Sequence, residues 1–341
     1  MYSPAFKYTA QVMQYEVNKY HYMHYLQWRP HRKFSISLAE GVMVNAPFEL
    51  RFLNPFTIFH SYESYKTYVN YNEDMGYRRP PSGTRLEDMW DKNPDGSDMY
   101  DRTFDPNNHS RIGSYFGIKL EYQPVQNLRL YGLFAMNEFG LFLERDNWSD
   151  SLSPDAIALQ AGSEFSIPVR GGHWEFGLEG VYTYPYMYVL WDKSWSFYKE
   201  YTELDVAQPR IRYWTGSPFG PDTIAGKLWG GFRSSERWYA GLSFEVSARG
   251  ERSELTIFDR DNSINDTYRP GNYVYDVTVP PTGIPIYSYT LSFLGEYQYR
   301  QWLGFHARPG YRLLVNAGRI EGQREHSFEF ALSMRFRPPV R

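Results

Sequence analysis

Residues 91–101, DKNPDGSDMYD, hold the side chains whose types and spacing come nearest to a defined chemistry in this sequence. Asp91, Asn93, Asp95 and Gly96 fit D-x-[DN]-x-[DN]-G, the first half of a calcium loop. Oxygen donors at alternate positions, with a glycine that permits the sharp turn, suit a hard cation such as Ca²⁺. The bidentate Glu that usually ends such a loop is replaced by Arg102, so Asp98 or Asp101 would have to complete the shell. The expectation is a solvated acidic loop, with Asp91, Asn93, Asp95 and Asp98 as candidate Ca²⁺ ligands and no other cofactor. A second acidic tract, DRDNSIND at 259–266, carries the same signal more weakly.

A different chemistry is offered by Trp90, Trp148, Trp191, Trp195 and Trp214, which stand among Tyr, Asn and Asp. Aromatic faces stack on sugar rings while neighbouring carboxylates and amides bond hydroxyls, so these five are candidate glycan contacts. Catalysis needs a constellation, and G-x-S-x-G, H-E-x-x-H and Gly-rich phosphate loops are all missing from the sequence. A membrane hydrolase would need a His–Ser pair; His24 and His60 have apolar parity, but no partner can be assigned to either. The chain is therefore expected not to be an enzyme.

What positions these residues is visible in IYSYTLSFLGEYQYR, residues 286–300. Tyr287, Tyr289, Leu291, Phe293, Tyr297 and Tyr299 share one parity, and Ser288, Thr290, Ser292, Glu296, Gln298 and Arg300 share the other. A period of two is a β-strand. The pattern recurs at 111–122, 157–169, 173–190, 237–249 and 303–317. Each such run is far longer than the ~5–6 residues of an average globular strand. The 341 residues contain 31 Tyr, 23 Phe and 10 Trp but no Cys, and the net charge is −3. That balance excludes disulfides, thiolate metal sites and a basic nucleic-acid surface. A continuous aromatic face opposite a charged one is what a transmembrane barrel requires: lipid outside, polar packing or water inside, and closure to remove free edges. The low mean hydropathy of −0.59 is then expected, because half of each strand and all the loops are polar. The opening MYSPAFKYTAQV shows no signal peptide, which implies one already removed or a start inside a longer product.

The fold class expected is thus all-β, an antiparallel transmembrane outer-membrane β-barrel in the envelope of a diderm bacterium, with 1–341 as a single barrel domain. Twelve strands are expected near 18–29, 33–44, 49–62, 110–123, 127–140, 156–169, 173–190, 223–233, 237–250, 286–300, 302–317 and 326–336. Long outer loops fall at 63–109, 141–155, 191–222 and 251–285, and short turns alternate with them, as in outer-membrane barrels. PHR, 30–32, is the one short connection left on the outer side. Inward parity collects Arg129, Glu164, Glu179, Arg249, Glu296, Arg308 and Arg312 among other charges of both signs. They suit a wet pore or a lumen packed with ion pairs. Pro309 is expected to force a bulge or kink, and Glu40, on an apolar parity, to lie at an interface or beside a phase shift. The last strand, HSFEFALSMRF, closes on Phe336 and resembles the signal read by the barrel-assembly machinery.

Residues 34–60, FSISLAEGVMVNAPFELRFLNPFTIFH, resemble a segment of the capsule-assembly Wzi family of outer-membrane proteins. The resemblance lies in a strand carrying Glu40 before an apolar stretch, then the Leu53-Asn54-Pro55-Phe56 step into a long polar loop. It covers about 27 residues; the remainder is similar only in being an aromatic-rich barrel. The resemblance implies a larger barrel, of which this chain is the C-terminal part, that binds capsular polysaccharide at the cell surface without catalysis. The expected partners are membrane lipid, surface polysaccharide and the assembly machinery, with no nucleic acid. The alternative is a porin or diffusion channel for small solutes, which an inward-folded loop such as 63–109 would argue against.

Overall fold

The computed structural model describes residues 5–16, 18–45, 48–56, 59, 112–138, 156–188, 196–201, 211–251, 279–300 and 302–336. Among these residues are fourteen strands: β1 Ala5–Glu16, β2 Lys19–His31, β3 Phe34–Asn45, β4 Ile112–Val125, β5 Leu128–Glu138, β6 Ala156–Val169 and β7 Gly172–Thr183. There follow β8 Tyr198–Tyr201, β9 Ile211–Trp214, β10 Thr223–Ser234, β11 Trp238–Arg249, β12 Ile286–Arg300, β13 Leu303–Val315 and β14 Arg324–Phe336. Twelve form one antiparallel sheet in chain order, β1 to β7 and then β10 to β14, while β8 and β9 pair only with each other. The sheet is not closed: β1 and β14 are its two edges.

The two faces divide as the alternation requires. Leu120, Phe165, Trp174, Leu228, Phe244 and Tyr289 are exposed on one face, far too much apolar surface to leave in water. Lys119, Glu121, Arg129, Glu164, Glu175 and Arg233 meet on the other. Long antiparallel strands with a lipid-facing apolar belt and a charged inner face make this the wall of an outer-membrane β-barrel. Inner-face glycines let the wall receive bulky neighbours. The aromatic rings of Tyr115 and Trp229 lie 2.1 and 2.0 Å from where a Cβ would stand on Gly41 and Gly177.

Several sequence expectations need correction. The described residues of span 49–62 form no strand: Leu50–Leu53 is a 3₁₀ turn, and β3 pairs directly with β4 from Phe34↔Tyr122 to Val44↔Ile112, leaving no place between them. Asn54-Pro55 breaks any ladder there, since proline has no N–H to give. The missing strand is β1, whose pairs run from Ala5↔Arg29 to Glu16↔Lys19. With β1 in place, the turn at 32–33 moves to the short-turn side, and Asn18 marks the short outer connection between β1 and β2. Strand β7 stops at Thr183 rather than 190 because Pro185 follows. Pro309 produces no bulge: the β12–β13 pairing skips from Ser292↔Gly310 to Gly295↔Ala307 with register unchanged, a gap in the ladder. Glu40 keeps its phase too, facing outward between His24 and Phe116.

Candidate functional site

The described residues of the connection from β7 to β10, namely 184–188, 196–201 and 211–222, fold onto the inner wall. After Thr183 the chain turns at 185–188, and Asp222 N–H returns it to the carbonyl of Tyr184 at 3.1 Å. Tyr188, at φ 70°, donates its N–H to Asn137 Oδ1 on the inner face of β5 (2.9 Å). The Phe197 N–H then bonds the Tyr188 carbonyl, and Thr215 N–H bonds the Phe197 carbonyl, both at 2.8 Å. The β8–β9 ladder, Tyr198↔Trp214 to Tyr201↔Ile211, completes a compact unit.

This unit is seated on the inner wall. Met187, Tyr188 and Phe197 form a buried cluster with Met43 of β3 and Ala158 of β6, and Tyr15, Tyr115 and Ala135 pack around it. The Phe197 ring meets Tyr115 edge-on at 5.1 Å. Lys19 Nζ donates to the Tyr198 carbonyl and Thr215 Oγ1 to the Tyr15 hydroxyl, both at 2.7 Å. Burial pushes the Tyr188 phenol above its ordinary pKa, against the lowering effect of the Ser217 N–H it accepts. The buried His21 ring, among Tyr15, Tyr115 and Phe197, has no hydrogen-bond partner at either nitrogen among the described residues.

At the rim, neighbouring loops are stitched together. Fully buried Asp222, at φ 55°, accepts from Thr282 N–H (3.0 Å) and Thr282 Oγ1 (2.5 Å), and its carbonyl accepts from Gly250 N–H (2.8 Å). A Cβ on Gly250 would fall 2.1 Å from Asp222 Oδ2. Arg319 donates to the carbonyls of Arg249 (3.3 Å), Gly250 (2.6 Å) and Ile284 (2.8 Å), tying the β13–β14 loop to the β11–β12 loop.

Toward the short turns the inner face becomes an ion-pair girdle. Glu121 accepts from Ser35 Oγ (3.0 Å) and pairs with Lys119 (2.9 Å) and Arg129, which reaches Glu164 at 2.8 Å. Tyr131 donates to Glu179 (2.6 Å). Arg233 bridges Glu175 (3.1 Å) and Glu296 (3.2 Å), with His306 3.5 Å from Glu296. Nearer the outer rim, Arg312 of β13 meets Glu329 of β14 at 2.9 Å.

Of the residues singled out from sequence, Arg129, Glu164, Glu179, Glu296 and Arg312 lie in these contacts. Arg308 lines a shallow concavity with His306, Ser333 and Arg335, and Arg249 stands at the rim. Trp214 is half-buried inside the seated unit, 5.0 Å from Tyr198, so it packs rather than presenting an open sugar platform. Trp90, Trp148, Trp191 and Trp195, the Ca²⁺ candidates Asp91, Asn93, Asp95 and Asp98, loop 63–109 and His60 lie outside the described residues. Among the described residues no cluster of His, Asp and Glu could hold a metal ion. His24 gives its ring to the outer face: Nε2 is 3.0 Å from the Phe52 carbonyl. The residues that sequence reasoning missed are Phe197, Tyr188, Lys19 and Asp222. The Tyr184, Tyr186, Tyr188 alternation pointed to a longer β7 instead.

No protein-family model matches the sequence, and no curated protein matches it. Among solved structures the chain is similar to Wzi of Escherichia coli, an outer-membrane protein involved in group 1 capsule assembly and a carbohydrate-binding β-barrel. The identity is 9% and the TM-score 0.48, over 96% of this chain and 54% of that one. The chain thus spans about half the length of Wzi. OmpT, an outer-membrane protein of Vibrio cholerae, is similar at 8% identity and TM-score 0.39, over 98% of this chain and 81% of that one. Salmonella typhi OmpF, in complex with daunomycin, is similar at 7% identity and TM-score 0.32, over 97% and 96%. At such identities likeness concerns fold alone, and it is the strands described above that establish the fold.

Proposed function

We propose that this chain is a non-catalytic outer-membrane scaffold that binds and retains surface polysaccharide, with its lumen obstructed near the outer mouth. The carrying observation is the inward-folded unit of 184–188, 196–201 and 211–222, seated against β1 to β6 through Phe197, Lys19 and Thr215. An open diffusion channel is served by water along its lumen. Here aromatic packing covers the inner face of β1 to β6 near the outer end, and below it carboxylates and guanidiniums are bonded mainly to one another. The tyrosines and tryptophans of the outer loops, with their amides and carboxylates, provide the stacking and hydroxyl recognition that sugars need. Wzi, a carbohydrate-binding β-barrel, offers a precedent for such a use of the fold.

The test is retention of fluorescently labelled capsular polysaccharide by proteoliposomes, beside swelling of the same vesicles in small sugars. Retention without swelling supports a scaffold. Swelling without retention would establish the second reading, a porin, with which the partly exposed Arg129–Glu164 pair of the inner face is compatible.

A further inference from the structure

Consecutive residues Val42, Met43 and Val44 of β3 are all buried, although they point alternately to opposite faces. Met43 is covered by the inner unit. Val42 and Val44 are covered from outside by residues 48–56 and Phe59, which fold back over the lipid-facing side of β2 and β3. Phe52 packs on Tyr22 (4.9 Å) and Phe59 on His24 (4.3 Å). Such a strap needs its backbone polar groups satisfied. The wall supplies this: Glu49 N–H donates to the Tyr22 hydroxyl (2.9 Å), and the Phe52 carbonyl meets His24 Nε2. Within the strap, Asn54 N–H bonds the Arg51 carbonyl (3.2 Å) and Phe56 N–H bonds Asn54 Oδ1 (3.1 Å).

The strap buries Phe52 and Phe59 yet exposes Phe48, Leu50 and Phe56, the last two at 72% and 90%. These residues continue the outward apolar belt marked lower on the same strands by Leu26, Trp28 and Leu38. Tyr22 lies nine residues from the end of β2 at His31. At about 3.3 Å per residue and a tilt of about 40°, that places it roughly 23 Å above the short turns, near the top of a ~25 Å apolar band.

We propose that this strap is an interfacial anchor whose Phe48, Leu50 and Phe56 insert into the outer leaflet at the boundary between acyl chains and headgroups. The occupant is lipid because the strap continues the lipid-facing belt and its exposed residues are apolar, while Glu49 and Arg51 pair with each other. Aromatic residues at that depth are the usual interfacial anchors. The inference is independent of what the lumen holds.

The chain has no cysteine, so a single one can be labelled without background. Spin labels on Phe56→Cys, on Leu38→Cys in the belt and on Glu321→Cys in an outer turn would be read in bilayers by collision with oxygen and with a water-soluble nickel chelate. The expected result is loss of nickel access at position 56, with oxygen access retained as at position 38. Nickel access equal to that at position 321 would overturn the anchor. Shielding from both reagents would overturn it too, because a protein partner would then cover the strap.

Discussion

Truncating Phe197 to alanine is the sharpest perturbation of the inward-folded unit. The side chain is 1% exposed and packs on the inner-wall residues Met43, Tyr115 and His21. A Phe→Ala change at such a site costs about 3–5 kcal/mol. The ring belongs to the unit and its partners to the wall, so the loss falls on docking rather than on strand pairing. At ~1.4 kcal/mol per tenfold, the undocked population should rise by a factor of about 10² to a few times 10³. Hydrogen exchange at the backbone amides of Phe197 and Thr215, which bond Tyr188 and Phe197 carbonyls, reports that population. Exchange in the short-turn halves of β11 and β12, away from the Asp222 contacts at their outer ends, should be unchanged. If F197A left exchange at 197 and 215 within about threefold of the wild type, or sped it equally in those halves of β11 and β12, the seating deduced from these contacts would be refuted.

Other expectations follow from the same contacts. Asp222→Ala removes the acceptor for both Thr282 donors and should lower stability by about 2–3 kcal/mol, read as an earlier heat-induced mobility shift on gels. Gly250→Ala should do similar harm, through overlap with the Asp222 carboxylate, and Asp222→Ala should partly relieve it. Gly41→Val would displace the Tyr115 ring and loosen Phe197, raising exchange at residue 197 while leaving the β10–β11 ladder protected. Arg129→Gln should cost about 1 kcal/mol or less, because the side chain and its Glu164 partner are both more than a third exposed; a cost of several kcal/mol in denaturant would mean a dry lumen.

The wall was legible because lipid on one side and polar contact on the other impose a strict period of two, as in 286–300, where residue type alone assigns each face. Even the overlooked β1 carries that signal in Phe6, Tyr8, Ala10 and Val12. The strap and the inner unit were not legible, because their apolar residues answer to surfaces already formed by other strands. Phe52 and Phe59 face Tyr22 and His24, and no local period marks that. Tyr186 and Tyr188 keep the alternation of β7 past its end, so parity extended the strand where Pro185 had ended it. Trp214 shows the same limit. Its residue type suits a sugar ring, and only the fold shows it packed on Tyr198. Individual ion pairs such as Arg129–Glu164 needed register, which parity does not supply.

Obstruction of the lumen by the inward-folded unit of 184–188, 196–201 and 211–222 can be read by single-channel recording in planar bilayers. The intact protein would be compared with a variant in which 185–221 is replaced by a short Gly-Ser linker, heat-modifiable mobility confirming that both are folded. Electrical silence of the intact protein and stable unitary steps of the variant are the predicted result. Equal, stable conductance from the intact protein would contradict it and identify an open channel.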